Sequence, residues 1–264
     1  MFMFMPQSGF VMAPAPFQWA PFLASTVGTS LAVASANTFN QVMEVERDAI
    51  MKRTLRRMLP TGAIGVPHAI LFGTCCGVAG VAVLHAGAPA PAAALALANI
   101  GLYTLVYTPL KQVHFCNTWV GAVVGAVPPV IGWVAATGSV GLGALALAVV
   151  LYVWQIPHFM ALAWMLRRDY AAAGYQMVSV THPERIGDIT LRWTLYTLPL
   201  GALCAAAGLT SGWFALDGAL LGAAMCYHAT VFKADTTDAH ARRLFLSTLW
   251  YLPAFLVLLF VHKR

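Results

Sequence analysis

The chain has 264 residues, enough for one large or two small domains, yet 60% of it is hydrophobic and 9% charged, against about 25% charged in a soluble domain. Fifteen basic and nine acidic side chains cannot keep a protein of this size in solution, which excludes an ordinary soluble enzyme and a disordered chain. The same scarcity excludes a nucleic-acid binder despite a net charge of +6, and leaves an integral membrane protein.

The charges fall in clusters, and residues 1–43, 58–110, 112–166, 193–216, 218–232 and 244–262 contain no Asp, Glu, Lys or Arg. A bilayer-crossing helix needs about 20 apolar residues. The spans expected on this basis are 20–43, 63–86, 91–109, 119–137, 142–165, 190–210, 213–232 and 244–262, with tight turns at His85–Pro91 and Thr137–Gly143. The apolar piece 1–14 is too short to span and is expected to be the remainder of a truncated first helix, with neither a cleavable signal nor an Arg-rich transit segment. Unbroken runs such as ALALAVVLYVW lack the alternation that a membrane barrel requires. The expected fold is an all-α, multi-span helical bundle forming a single transmembrane domain over residues 1–264, with about 8 complete spans. The cysteines at 75, 76, 116, 204 and 226 are odd in number, lack a CxxC spacing, and read as small apolar residues.

Alternating the spans places thirteen of the fifteen bases on one side, which the positive-inside rule assigns to the cytoplasm or its organellar equivalent. Eight of the nine acids lie on that side too, with Asp217 alone opposite. The rule does not account for acids, so that face has a use for carboxylates.

Three constellations can carry chemistry. In the first, Asn40, Glu44 and Asp48 recur every fourth residue, with Asn37 one turn earlier, so a helix aligns them on one stripe. Two carboxylates and an amide oxygen are hard ligands of the kind that hold Mg²⁺ together with substrate phosphates. Lys52, Arg53, Arg56 and Arg57 follow and suit an anionic phosphate. The competing reading is a solvated helix end carrying positive-inside charges, which leaves the two asparagines inside the apolar span unexplained. In the second, Gln155 and His158 lie deep in an apolar run beside Pro157, and Asp169 follows about three turns later. His158 is either a hydrogen-bonded core residue, tied to Gln155 or to a carbonyl freed by Pro157, or a functional group sharing a cavity with Asp169. In the third, Tyr103, Tyr107 and Lys111 precede a small-residue run in which Gly121 and Gly125 permit close helix packing. Lys111 stands alone between two long uncharged stretches, and is expected to snorkel to the basic face, where it can touch phosphate.

The segment NQVMEVERD resembles the first acidic motif of the UbiA-type intramembrane prenyltransferases. Together with YTPLKQ, NTWVGAVVGAVPPVIGWVAATG, WQIPHF, RRDYAAAGYQMVSVTHP and RRLFLSTLWYLP, it is similar to the haem-farnesylating branch of that superfamily, in its mitochondrial form, from about Ala13 to Arg264. The resemblance implies a UbiA-type helical bundle that transfers a farnesyl group from farnesyl diphosphate to a vinyl group of protoheme IX, giving haem O. It implies Mg²⁺ as cofactor, held with diphosphate by Asn40, Glu44 and Asp48, and diphosphate or propionate contacts from Arg53, Arg57, Lys111 and Tyr170. It puts His158 and Asp169 in a second polar motif, and His158 is expected on the haem side. The implied location is the mitochondrial inner membrane, or a bacterial inner membrane for a prokaryotic source. Its implied partners are the bilayer and the two substrates, with haem A synthase or oxidase assembly proteins as candidates. The alternatives are a sibling acting on a quinone precursor and a non-enzymatic transport or assembly protein.

Overall fold

A computed structural model describes residues 5–264, so residues 1–4 of the expected first apolar piece lie outside the described residues. The helices, in chain order, are α1 (Met5–Met12), α2 (Trp19–Met43), α3 (Val45–Asp48), α4 (Val66–Gly87) and α5 (Ala90–Gly101). A π-wound segment, Leu102–Tyr107, leads into α6 (Thr108–Val113), followed by α7 (Asn117–Thr137), α8 (Leu142–Met165) and α9 (Arg167–Ala172). The chain ends with α10 (Val178–Thr181), α11 (Ile186–Leu195), α12 (Leu200–Ala206), α13 (Phe214–Ala234) and α14 (Asp238–Val261). Among the described residues the only strand-like pairing is an isolated bridge between Thr210 and Lys263.

Among the described residues six helical stretches are long and apolar enough to cross a membrane: 66–87, 90–113, 117–137, 142–165, 214–234 and 238–261. Side chains such as Leu71, Val78, Leu105, Leu142, Trp250 and Val257 are largely exposed on them, as expected of surfaces that face lipid. The helix α2 is as long as these, at 25 residues, but carries a polar series from Ser25 to Gln41. The expected span 190–210 is not one helix. It breaks between Leu195 and Leu200, because Pro199 offers no N–H to continue the ladder and disfavours a helical Leu198.

The helices divide into two compact units. The first takes in the chain up to Val140 and returns for Asp169–Gln176. In it α2 lies along α4, and α7 packs against α1, α2 and α5. The contact of α1 with α7 is backbone against backbone: a Cβ on Gly9 would overlap the Pro129 carbonyl, and one on Gly132 the Pro6 carbonyl. The described part of the short apolar N-terminal piece, Met5–Met12, is therefore a buried helix, with Met5, Phe10 and Met12 in the core.

The second unit comprises Gly141–Arg168 and Met177–Arg264. Here α8 packs on α11, α12 and α14, and α13 on α11, α12 and α14, around Ile156, Met160, Phe214, Phe232, Leu252 and Phe255. The helix α8 runs on through Pro157 without a break. Asp217 has a structural use. Its carboxylate meets His262 Nε2 at 2.8 Å, and the Ser211 N–H donates to the His262 carbonyl at 2.9 Å, tying down the C-terminus. The exposed acids Asp188 and Asp238 pair with Lys233 and Arg167. Bonding to Lys233 holds the Asp188 carboxyl below its usual range. The acids on the basic face thus travel largely with the bases, and those at Glu44 and Asp48 differ in being buried.

A buried acidic stripe and its cationic and tyrosine partners

The helix α2 ends at Glu44, whose φ of −111° and ψ of 11° leave the helical region, and α3 restarts one residue later. The i to i+4 ladder nevertheless runs through the junction, with Glu44 N–H donating to Asn40 O at 3.0 Å and Asp48 N–H to Glu44 O at 2.8 Å. The break therefore preserves the stripe. Asn40, Glu44 and Asp48 are only 7%, 4% and 2% exposed, a depth at which an ionised carboxylate must be paired.

Both are. Lys111 Nζ donates to the two Glu44 oxygens at 3.0 and 3.1 Å, and Arg57 Nη1 donates to Asp48 Oδ2 at 2.6 Å. The lone lysine of the long uncharged region is thus the internal counter-ion of Glu44, 67 residues away in sequence. The Thr108 hydroxyl donates to Tyr103 O at 2.9 Å, so it accepts from Asn40 Nδ2 at 3.1 Å. With its amide nitrogen so engaged, Asn40 turns its oxygen Oδ1 away as an acceptor. An amide oxygen and two carboxylates in one buried row fit a small hard cation, with Lys111 and Arg57 balancing the carboxylate charge. Among the described residues no group of three His, Cys, Asp or Glu side chains is arranged to hold a metal.

Tyrosines wall the site. The π turn at Leu102–Tyr107, a winding often found at functional positions, keeps Tyr103, Tyr107 and Lys111 on one side. The rings of Tyr103 and Tyr107 meet edge-to-face at 5.2 Å, and Lys111 Nζ lies 4.7 Å above the Tyr107 ring. Gly121 leaves the room that Tyr107 occupies, since a Cβ there would meet the ring at 2.6 Å. The segment 169–176 closes the wall. It is anchored by Gln176 N–H donating to Lys111 O at 2.7 Å and by Asn117 Nδ2 donating to Gln176 O at 2.9 Å. Burial, and then the charge and hydrogen bonding of Glu44, push the Tyr175 hydroxyl well above its usual range, so it remains a protonated donor beside that carboxylate. Burial raises Tyr170 too, opposed by Arg53 and Lys111, with Arg53 hydrogen-bonded to its hydroxyl.

The structure thus brings together Asn40, Glu44, Asp48, Arg53, Arg57, Lys111 and Tyr170. Asp169 is half-buried, and among the described residues its carboxylate has neither an ion pair nor a hydrogen-bond partner, so it is not joined to that cluster by a direct bond. Tyr175 is the member that sequence reasoning missed. Its only signal is its place five residues after Tyr170 in RRDYAAAGY.

His158 belongs to the second unit. Its ring is stacked with Trp154 at 5.1 Å and with Phe245 at 4.7 Å, and its Nδ1 lies 2.9 Å from Thr248 Oγ1. The Thr248 hydroxyl donates to Phe245 O at 2.6 Å, so towards His158 it can only accept. The proton therefore sits on Nδ1 and Nε2 carries the lone pair. The hydrogen-bond partner of His158 is Thr248 on α14, while Gln155 donates to Leu151 O in its own helix.

The family model described as the UbiA prenyltransferase family matches residues 2–258. The chain is 47% identical to the Homo sapiens protein named "Protoheme IX farnesyltransferase, mitochondrial" over 257 residues, 97% of this chain and 58% of that protein. It spans about half the length of the curated relatives it matches. A structure titled "Structural and mechanistic insights into the biosynthesis of Digeranylgeranylglyceryl phosphate synthase in membranes" has a TM-score of 0.83 at 14% identity, covering 99% of this chain and 92% of that one. A UbiA homolog from Archaeoglobus fulgidus bound to DMAPP and Mg²⁺ has a TM-score of 0.66 at 13% identity, covering 98% and 94%. Those likenesses are to the fold alone. With its match running almost end to end, the chain belongs to the UbiA prenyltransferase family.

Proposed function

We propose that this chain transfers the farnesyl group of farnesyl diphosphate to a vinyl group of protoheme IX, yielding haem O, in the mitochondrial inner membrane. The carrying observation is the buried row of Asn40, Glu44 and Asp48, with Lys111 and Arg57 upon it, in a chain 47% identical to a mitochondrial protoheme IX farnesyltransferase. Asn40 Oδ1 and the carboxylates of Glu44 and Asp48 would hold Mg²⁺, whose charge helps the diphosphate to leave. Arg53, Arg57 and Lys111 attract the diphosphate and stabilise the negative charge that grows on it as the C1–O bond breaks. The apolar helices exclude water from the allylic cation. Tyr175 holds Glu44 by a neutral hydrogen bond, and Tyr170 positions Arg53.

His158 acts on the haem side. Its Nε2 lone pair can ligate iron or take a proton near the reacting vinyl, and Trp154 and Phe245 fix its plane. Asp169, partly exposed and without an ion-pair partner among the described residues, serves the second polar motif. Haem is a substrate here, consumed and released. Haem A synthase and oxidase assembly proteins are the partners that this product calls for. The deciding experiment is expression of the chain in membranes supplied with both substrates, with haem O sought by mass spectrometry. A prenylated quinone precursor, with no haem O, would overturn the reading.

A further inference from the structure

A cavity of about 550 Å³ opens in the first unit, between the last turns of α2, the segment 49–65 and the first turns of α4. One part of its lining is cationic or proton-donating: Arg56, Arg57 and His68. The remainder is largely apolar, with Leu59, Ile64 and Phe72. Among the described residues Arg56 and His68 have no side-chain hydrogen bond or ion pair, and Arg57 spends only Nη1, on Asp48. Phe72 is 51% exposed beside Ile70 and Leu71 on the outer face of α4, a helix apolar enough to span the bilayer. The cavity therefore meets acyl chains along one wall and holds unspent donors near the end of the same helix, where the interface lies. A lone inorganic anion would leave the apolar wall uncovered, and a neutral lipid would leave the arginines without a counter-charge. The chemistry that satisfies both is a phosphate ester carrying an acyl chain.

We propose that this cavity binds an anionic phospholipid of the surrounding bilayer, its phosphate on Arg56, Arg57 and His68 and an acyl chain over Ile64 and Phe72. Arg57 is shared between the cavity and Asp48, so a bound phosphate draws the guanidinium from Asp48 and frees that carboxylate. This coupling rests on the assignment of Asp48 to the metal-diphosphate site, whereas the binding itself does not.

Native mass spectrometry of the protein released from mixed phosphatidylcholine and phosphatidylglycerol micelles tests the binding. The wild type should retain phosphatidylglycerol in preference to phosphatidylcholine, and Arg56→Gln and Phe72→Ala should each lower that retention roughly tenfold. Both side chains are exposed, so neither change should unfold the chain. Equal retention of the two lipids, or unchanged retention in both variants, overturns the proposal. Free inorganic phosphate that displaces phosphatidylglycerol at equal concentration would show an anion site and overturn the lipid as occupant. For the coupling, the Mg²⁺ concentration that gives half-maximal rate should fall in phosphatidylglycerol vesicles for the wild type but not for Arg56→Gln, which experiences the same surface potential. A parallel fall in both refutes the coupling. Selective lipid retention without haem O formation would leave the lipid site standing and remove the proposed activity.

Discussion

Replacing Lys111 with methionine tests whether the acidic row is an electrostatic unit. Glu44 and Lys111 have side chains only 4% and 14% exposed, and the ammonium bonds both carboxylate oxygens. Methionine keeps the bulk of the stem and removes the charge, leaving the carboxylate with the Tyr175 hydroxyl as its chief partner. Breaking a buried pair from one side costs about 3–5 kcal/mol, because the remaining charge is neither hydrated nor compensated. At roughly 2–4 °C per kcal/mol for a chain of this size, melting should fall by about 6–20 °C. The double variant Glu44→Gln/Lys111→Met removes both charges and should recover most of that loss while remaining inactive. Mg²⁺ should raise the melting temperature of Lys111→Met more than that of the wild type, since the cation takes over the missing charge by mass action. The assay is thermal unfolding in detergent with and without Mg²⁺, alongside haem O formation. A single variant as stable as wild type, or a double variant no better than the single, would refute the argument.

Asp48→Asn keeps an oxygen for Arg57, so the fold should hold to within about 1 kcal/mol, while the Mg²⁺ needed for turnover rises at least about tenfold; normal haem O formation at limiting Mg²⁺ would refute the metal assignment. Thr248→Val removes the acceptor of the His158 Nδ1–H and should slow turnover roughly 10–100-fold with the KM for farnesyl diphosphate unchanged. Thr248→Ser should restore the rate, and nitrogen NMR of the imidazole should show the Nδ1–H form in the wild type; equal effects of valine and serine would refute the positioning role. The Tyr175 phenol titrates above its unfolded value of about 10, so its contribution is complete below that pH and is lost as pH rises beyond it. The difference in melting temperature between wild type and Tyr175→Phe should therefore stay constant from about pH 6 to 9 and shrink above about pH 10. A difference that changes between about pH 6 and 9 would count against the protonated donor.

Local repetition carried much of this protein. Long uncharged runs defined most of the spans, down to Leu142–Met165 at the residue, because crossing lipid imposes a length and a composition on each helix separately. The row at Asn40, Glu44 and Asp48 was legible for a similar reason: the helical repeat is a property of neighbours, and the hydrogen-bond ladder carries it through the break at Glu44. Asn40, Glu44 and Asp48 required no tertiary information to be singled out. What each of them faces did. Lys111 reaches Glu44 across 67 residues and Thr248 reaches His158 across 90, distances over which periodicity says nothing and only helix packing brings side chains together. Tyr175 is placed beside Glu44 by the fold alone, with the Gln176 bond to Lys111 O as its anchor. The tautomer of His158 depends on where one threonine hydroxyl spends its single proton. The break at 195–200 was concealed by an apolar run that met the requirement of a span in composition but contained Pro199, which the backbone cannot carry through. The sequence by itself determined which groups must leave water and which polar ones are set among them. The tertiary structure decided which charge neutralises which, because a buried carboxylate is stable only beside the counter-ion that the fold delivers to it.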